Sequence, residues 1–326
     1  MRSEHSGTGE PTERAWYGTG SAPQDPPSSP APRSIAVCID DYGLHAGINR
    51  AALELAGAHR VSAISCMPDG PAWAEGVAEL HALPAGVQLG LHVNLTEPIG
   101  PAGLTRPLSR LILRAYLAGL DPTALRHEIR RQLGRFEDGV GRPPDFLDGH
   151  QHVHQLPGVR EALIDILNEH TPSIRPWLRR TRPAQLPPGS AVTRAARAKA
   201  WLIDRLGGAA LGRLAAGGGY PQNGRLLGVY AFDGTEYDYL ERLHAWFEAA
   251  ADGDVLMCHP SVEGPWRDPI LPARTREYRV LSSPQFAELA VRCGIAIGPL
   301  ARLPPTGRAG SGSSRRATAA TAGRGH

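Results

Sequence analysis

The sequence predicts an α/β fold, a single domain built as a distorted or incomplete (β/α) barrel of about seven parallel strands. Three observations lead there. Short apolar runs bounded by turn residues recur from residue 35 to residue 299, the mark of strands buried on both faces. Helical patterns separate these runs, which implies parallel pairing through right-handed crossovers. About seven such units then fill roughly 270 residues, the scale of a barrel. An open doubly wound sheet is the alternative.

Taken in order, IAVCI at 35–39 is a short buried strand, and 46–58 is helical and stops near Gly57. A second strand follows at 61–67 and a helix at 73–83. Residues 87–96 alternate cleanly and read as a third strand. Residues 121–138 form an amphipathic helix, with Asp121 before Pro122 as its start signal. The fourth strand is read as extended over 146–154, helix follows at 158–169, and a fifth strand is expected to begin at Ile174 and Arg175. Residues 193–216 read as one apolar, Arg-rich helical stretch. A helix at 237–251, a strand at 254–259, a helix at 284–293 ended by Gly294, and a strand at 295–299 complete the domain. Residues 1–33 and 304–326 are rich in Ser, Pro, Gly, Thr and Ala, and neither segment carries enough apolar surface to offset its ordering entropy. They are expected to be disordered tails around a domain at 34–303.

Composition narrows the function. The formal charge is +3 and resides in the tails, which leaves 34–303 neutral. That excludes nucleic acid as the main partner, because a phosphate-binding face needs a concentrated basic patch. No run of 18 apolar residues is present, so no membrane span is expected. The first 30 residues lack the apolar stretch of a secretory leader. Cys38, Cys66, Cys258 and Cys293 are widely spaced, without a CxxC pair, and three of the four lie in apolar stretches as buried thiols would, which fits a reducing, cytoplasmic setting. A homodimer is compatible with this composition. There is no GxSxG elbow, P-loop or early GxGxxG, so serine hydrolase, NTPase and dinucleotide chemistry find no support.

In parallel α/β folds the site lies at the C-terminal ends of the strands. Polar groups stand at four such places. Asp40 and Asp41 close the first apolar run, where two adjacent acids call for a cation or a shared proton, or cap the helix that follows. His92, Asn94 and Thr96 share one face of the third strand. Asp148, His150, His152 and His154 share a face of the fourth if that stretch is extended. At ~3.3 Å per residue, members of that row four residues apart are separated by about 13 Å, so one or two of them can hold an ion while the rest orient ligands or touch substrate. His259 ends the run DVLMC, and Arg175 is a weaker candidate after Ile174. An Asp and two His from different strands would form a facial site for a divalent ion with open positions.

The stretches IDDYGLHAGINRAALE, GLHVNLTEP, PPDFLDGHQHVHQLP and DVLMCHPS resemble, in order and spacing from about residue 34 to about 300, the successive motifs of the YdjC-like carbohydrate deacetylases. The resemblance implies a distorted β/α barrel and metal-dependent hydrolysis of the N-acetyl group of a mono- or oligosaccharide, with Mg²⁺ favoured and Zn²⁺ allowed. It implies Asp41, His92 and His150 as metal ligands, Asp40 as general base, His259 as general acid and Arg175 as the arginine that orients the base. Asn94, Asp148, His152 and His154 are left as ring-orienting or substrate-contacting groups. Tyr42 stands where the family usually has Phe, and the Arg-rich segment 176–226 departs from the chitobiose enzymes and is expected to form a lid or substrate wall. Tyr42, Trp73 and Trp177 are candidates for stacking on a sugar ring. A metal-dependent phosphoesterase, or a sugar- or metal-binding protein on the same scaffold, are the competing readings.

Overall fold

The structure, a computed structural model, describes residues 31–99, 105–170 and 175–300. Residues 1–30, 301–326 and Ile174 lie outside them, so the expectations placed on the tails and on Ile174 do too.

Eight strands are described: β1 (Arg33–Tyr42), β2 (Ala63–Cys66), β3 (Gln88–Val93), β4 (Phe146–Gly149), β5 (Trp177–Leu178), β6 (Leu226–Leu227), β7 (Val255–Cys258) and β8 (Ile295–Ile297). Seven run in the order β5-β4-β3-β2-β1-β7-β6, every pair parallel, and β8 pairs with Arg33–Ile35 at the start of β1. The two ends of this path meet through isolated parallel bridges, Leu178 with Gln222 and Pro183 with Leu226, and through the Asn223 side chain on the Arg180 backbone. The expected distorted barrel of seven parallel strands is thus what forms, with a thin seam between β5 and β6.

The helices lie between the strands: α1 (Ala46–Gly57), α2 (Trp73–Gly76), α3 (Leu108–Tyr116), α4 (Pro122–Val140), α5 (Val159–His170), α6 (Arg194–Arg205), α7 (Gly208–Gly217), α8 (Glu236–Ala249), α9 (Leu271–Ser282) and α10 (Pro284–Arg292). The start signal at Asp121 acts as expected, its side chain accepting from the backbone N–H of Thr123 and Ala124, and the structure adds a second cap, Ser283, which accepts from Phe286. The stretch read as one helix over 193–216 is two, α6 and α7. Gly207 breaks it at φ 135, and a Cβ there would lie 2.0 Å from the Gln155 carbonyl oxygen. Helices α3 and α9 had no sequence signal strong enough to name them. Among the described residues no helix is long and apolar enough to cross a membrane. All four cysteines are unpaired and buried.

The core explains the pattern of apolar runs. Val37, Ile39, Ile64, Leu91, Leu147 and Leu256 are buried in one cluster with the helix faces of α1, α4, α5 and α8. A second cluster, built around Ala36, Cys38, Ala63, Phe146, Trp177 and Val255, takes the alternate residues of the strands. Phe146 stacks on Trp177 with ring centroids 4.2 Å apart. Tyr42 and Trp73 are buried as well, with Trp73 stacked on Phe136. None of the three aromatics proposed as sugar platforms lines the pocket described next. Each is used to fill the interior.

Candidate metal and catalytic site

A pocket of about 550 Å³ opens at the C-terminal ends of the strands, its polar floor made of Asp40, Asp41, His92, His150, His152 and His259. Asp40 and Asp41 are consecutive, and regular alternation would send one of them away from the pocket. Asp41 instead adopts φ 70, and the β1–β2 register shifts between Ile39 and Tyr42. A left-handed non-glycine residue in a bulge is strained by about 1–3 kcal/mol, a cost that persists where the surroundings over-determine it. Here it turns both carboxylates toward one cavity.

Asp41 is the hub. Its Oδ1 lies 2.8 Å from His150 Nδ1 and 3.3 Å from His92 Nε2, and its Oδ2 accepts from Arg274 at 2.7 Å. Burial pushes this carboxyl up, but the facing His150 ring, Arg274 and His92 outweigh it and hold the group well below the usual carboxylate range. His92 is clamped from behind: Asp148 Oδ1 lies 2.7 Å from its Nδ1, and Ser65 Oγ 2.9 Å from the same nitrogen. Burial alone would lower the His92 pKa, yet the Asp148 charge and hydrogen bond dominate and raise it to about 10. Donor atoms of Asp41, His92 and His150 all lie within 4.8 Å of one another.

Asp40 is held differently. Both its oxygens accept from Arg179, at 2.6 and 2.7 Å, and Nη2 of that guanidinium also lies 2.5 Å from Asp148 Oδ2. Arg179 is fully buried. This corrects the assignment of Arg175. Arg175 precedes β5, donates to Asn168 at 3.0 Å and lies over the Tyr220 ring at 4.5 Å, away from the pocket. The strand begins at Trp177, three residues past the expected start, so the arginine at its C-terminal end is Arg179. Sequence reasoning had the rule that would find it, a polar group where an apolar run stops, but applied it to the wrong register.

The fourth-strand motif is corrected too. The strand ends at Gly149, and 150–155 is a tight turn in which Gln151 and His152 take φ 52 and 61. The four groups therefore share no face. Asp148 lies behind His92, His150 reaches Asp41, and His152 lines the pocket with its Nδ1 unpartnered among the described residues. His154 is buried, with Nε2 2.9 Å from the Arg179 carbonyl oxygen, and serves the wall behind the site. Asn94 turns away from the pocket to organise the turn that follows β3.

His259 follows β7 and places Nε2 4.0 Å from Asp40 Oδ2. Burial is the main cause that lowers its pKa to about 4, so the ring is neutral near pH 7. Its backbone N–H donates to Glu277 at 2.5 Å, and its ring stands edge-on to Phe232 with centroids 5.3 Å apart. Glu277 and Arg274 both belong to α9, a helix that had gone unnamed. Their signal, an Arg and a Glu three apart on one helix face, is common to solvated helices and does not mark a site by itself. The segment 176–226 contributes Lys199 and Ile203 to the pocket wall. Lys199, the one lysine of the chain, donates to the Tyr230 carbonyl at 2.8 Å.

Several known proteins are similar to this chain. A mouse (Mus musculus) protein named carbohydrate deacetylase is 31% identical over 300 residues, covering 81% of this chain and 92% of that one. A Serratia marcescens chitooligosaccharide deacetylase is 33% identical over 132 residues, covering 38% of this chain and 52% of its own length. A crystal structure from Enterococcus faecalis, whose description proposes cellobiose-phosphate cleavage, superposes with a TM-score of 0.61 at 17% identity, covering 83% of this chain and 98% of that one. That last likeness shows the barrel alone. Residues 34–292 match the sequence pattern of the YdjC-like proteins, from the strand that carries Asp40 and Asp41 to the end of the last helix, and the chain belongs to that family.

Proposed function

We propose that this chain is a carbohydrate deacetylase that hydrolyses the N-acetyl group of an amino sugar with the help of one divalent ion. The observation that carries the reading is the convergence of one buried carboxylate and two imidazoles, donor atoms within 4.8 Å, beside a second carboxylate and a third imidazole in the same pocket. The donor set fits an ion. A hard oxygen and two imidazoles suit Mg²⁺ or Zn²⁺, and both rings have a carboxylate near the nitrogen that faces away from Asp41. An ion held by Asp41, His92 and His150 would polarise the amide carbonyl and make a water more acidic.

The remaining steps belong to the chain. Asp40 accepts the proton of the attacking water, and Arg179 holds that carboxylate in one orientation through two charge-assisted bonds. His259 starts neutral, 4.0 Å from Asp40, and is placed to receive that proton and deliver it to the departing nitrogen. The relay leaves acetate and a free amine with no net change in the enzyme. Phe232, Tyr230 and the aliphatic part of Lys199 supply the apolar surface against which a sugar ring would lie.

The test is acetate release from a panel of N-acetylated mono- and oligosaccharides, with protein stripped of metal and then reconstituted with Mg²⁺ or Zn²⁺. Activity should require the ion, and Asp41→Ala, His92→Ala and His150→Ala should lose ion and activity together. Full turnover in stripped protein would remove the metal from the mechanism. A loaded protein that releases no acetate from any member of the panel would remove the deacetylase reading.

A further inference from the structure

We propose that Glu97 is a positioning residue for the ion site, taking the N–H on the outer nitrogen of His150 so that the inner nitrogen presents its lone pair. The proposal rests on the metal-site reading above. The two imidazoles are held alike. His92 has Nε2 3.3 Å from Asp41 Oδ1 and Nδ1 2.7 Å from Asp148 Oδ1. His150 has Nδ1 2.8 Å from the same Asp41 oxygen and Nε2 3.4 Å from Glu97 Oε1. Each ring therefore has one nitrogen toward the shared oxygen and the other toward a carboxylate. A neutral imidazole carries one N–H, and an ionised carboxylate only accepts. Asp41 is a carboxylate too, so it is an ion held between Asp41 and the rings that would call for a lone pair on each inner nitrogen and send the single hydrogen of each neutral ring to the outer one. Glu97 stands on the far side of His150 and is outside the converging donor set of Asp41, His92 and His150.

The turn that carries Glu97 is built for this placement. Asn94 Oδ1 accepts from the backbone N–H of Thr96 and of Glu97, and Asn94 Nδ2 donates to the Glu97 carbonyl. Gln132 of α4 clasps the Asn94 backbone in both directions, accepting at 2.9 Å and donating at 2.7 Å. Asn94 and Gln132 are both buried. A buried polar pair with its bonds satisfied rigidifies what it holds. His150 needs such help more than His92 does. His92 stands within β3, whereas His150 opens the turn 150–155, just before the two left-handed residues Gln151 and His152.

Metal-stripped protein titrated with Co²⁺, read by equilibrium dialysis and by its visible absorption, tests the inference. Wild type should take up one equivalent. Glu97→Ala should bind about 10–100-fold more weakly, with changed visible bands. Glu97→Gln should restore binding and spectrum close to wild type, because its amide oxygen still accepts the N–H. Should Glu97→Ala not fold, as judged by its melting without metal, Glu97→Asp supplies the contrast with Glu97→Gln, since it withdraws the acceptor by one methylene. Wild-type affinity in the variant without an acceptor in reach, or a Glu97→Gln as weak as that variant, would overturn the proposal. Failure of wild type itself to bind Co²⁺ would overturn the metal-site reading instead, so the two failures are told apart.

Discussion

Asp40 and Asp41 are neighbours in the chain and face one pocket, yet they are held in opposite ways. Asp40 gives both oxygens to a single fully buried guanidinium, Arg179, and the nearest imidazole, His259, stays 4.0 Å away. Asp41 divides its oxygens, one toward His92 and His150 and one toward Arg274 from α9. The first arrangement fixes a carboxylate's orientation while leaving it free of imidazoles. The second puts two imidazole nitrogens and one oxygen around a common point. Two identical side chains, one residue apart, thereby become suited to different work, a proton acceptor and an ion ligand. The device that separates them is the left-handed backbone of Asp41.

The sharpest test of that contrast is to neutralise each acid in turn. Asp40→Asn should keep ion binding and lose turnover by about 10²–10⁴-fold, the usual cost of removing a general base. Asp41→Asn should lose the ion as well. Dialysis against Co²⁺ beside acetate release reads both quantities, and equal loss of ion in the two variants would end the division of labour argued here.

The arginines should differ as their partners do. Arg179→Met leaves Asp40 buried with no counter-ion and Asp148 with the His92 ring alone, which costs about 3–5 kcal/mol. Arg274→Met strands less: Asp41 keeps two imidazoles and Asp268 keeps His45, so the loss of a charged hydrogen bond, about 1.5–3 kcal/mol, sets the scale. Denaturant unfolding without metal checks the order, and a larger loss at Arg274 would reverse the comparison.

How much of this was legible follows from where each group stands. Asp40, Asp41, His92 and His259 close apolar runs, and a strand's alternation or abrupt end is visible in sequence. The barrel was legible for the same reason. Gln151 and His152 broke the reading of the DGHQHVH stretch because their left-handed dihedrals leave no compositional trace in a His and a Gln. Arg179 was hidden because β5 is only two residues long and starts late, and Arg274 and Glu277 because they come from a helix with no start signal beyond Pro272. Short strands, left-handed turns and helices recruited from a distance are properties of the assembled barrel rather than of any local window.

A smaller effect separates the His259 side from the rest by pH. Glu277 is buried, accepts from the His259 backbone N–H and the Tyr230 hydroxyl, and burial pushes its carboxyl up to about 7. In the unfolded chain it titrates near the ordinary Glu value of about 4.3. Between those values the native state holds a proton that the unfolded state has released, so this group's contribution falls as pH rises through the window and is fully present below it. Glu277→Gln should remove that slope. The destabilisation of the variant relative to wild type should shrink from pH 4.5 to pH 8, by about 3 kcal/mol. Because the measured quantity is a difference between two proteins, the titrations of Asp41, Asp148 and His92 cancel to first order. A gap that stays constant or widens with pH would mean that Glu277 is ionised in the native state.

The smallest expected effect is at Arg175, and its smallness is informative. Arg175 and Arg179 are four residues apart along an extended segment, which separates their Cα atoms by about 13 Å, the N-terminal side of β5 against its C-terminal end. Arg175 is half-buried, with one hydrogen bond to Asn168 and a stacking contact on Tyr220. A surface contact of this kind is worth about 0.5–1 kcal/mol. Arg175→Met should therefore lower the melting temperature slightly and leave acetate release and Co²⁺ affinity unchanged. The same substitution at Arg179 should destabilise the fold and, wherever the variant still folds, slow turnover by freeing Asp40 to rotate. Turnover that falls equally in both would mean that Arg175 bears on Asp40 as Arg179 does, and would overturn its placement away from the pocket.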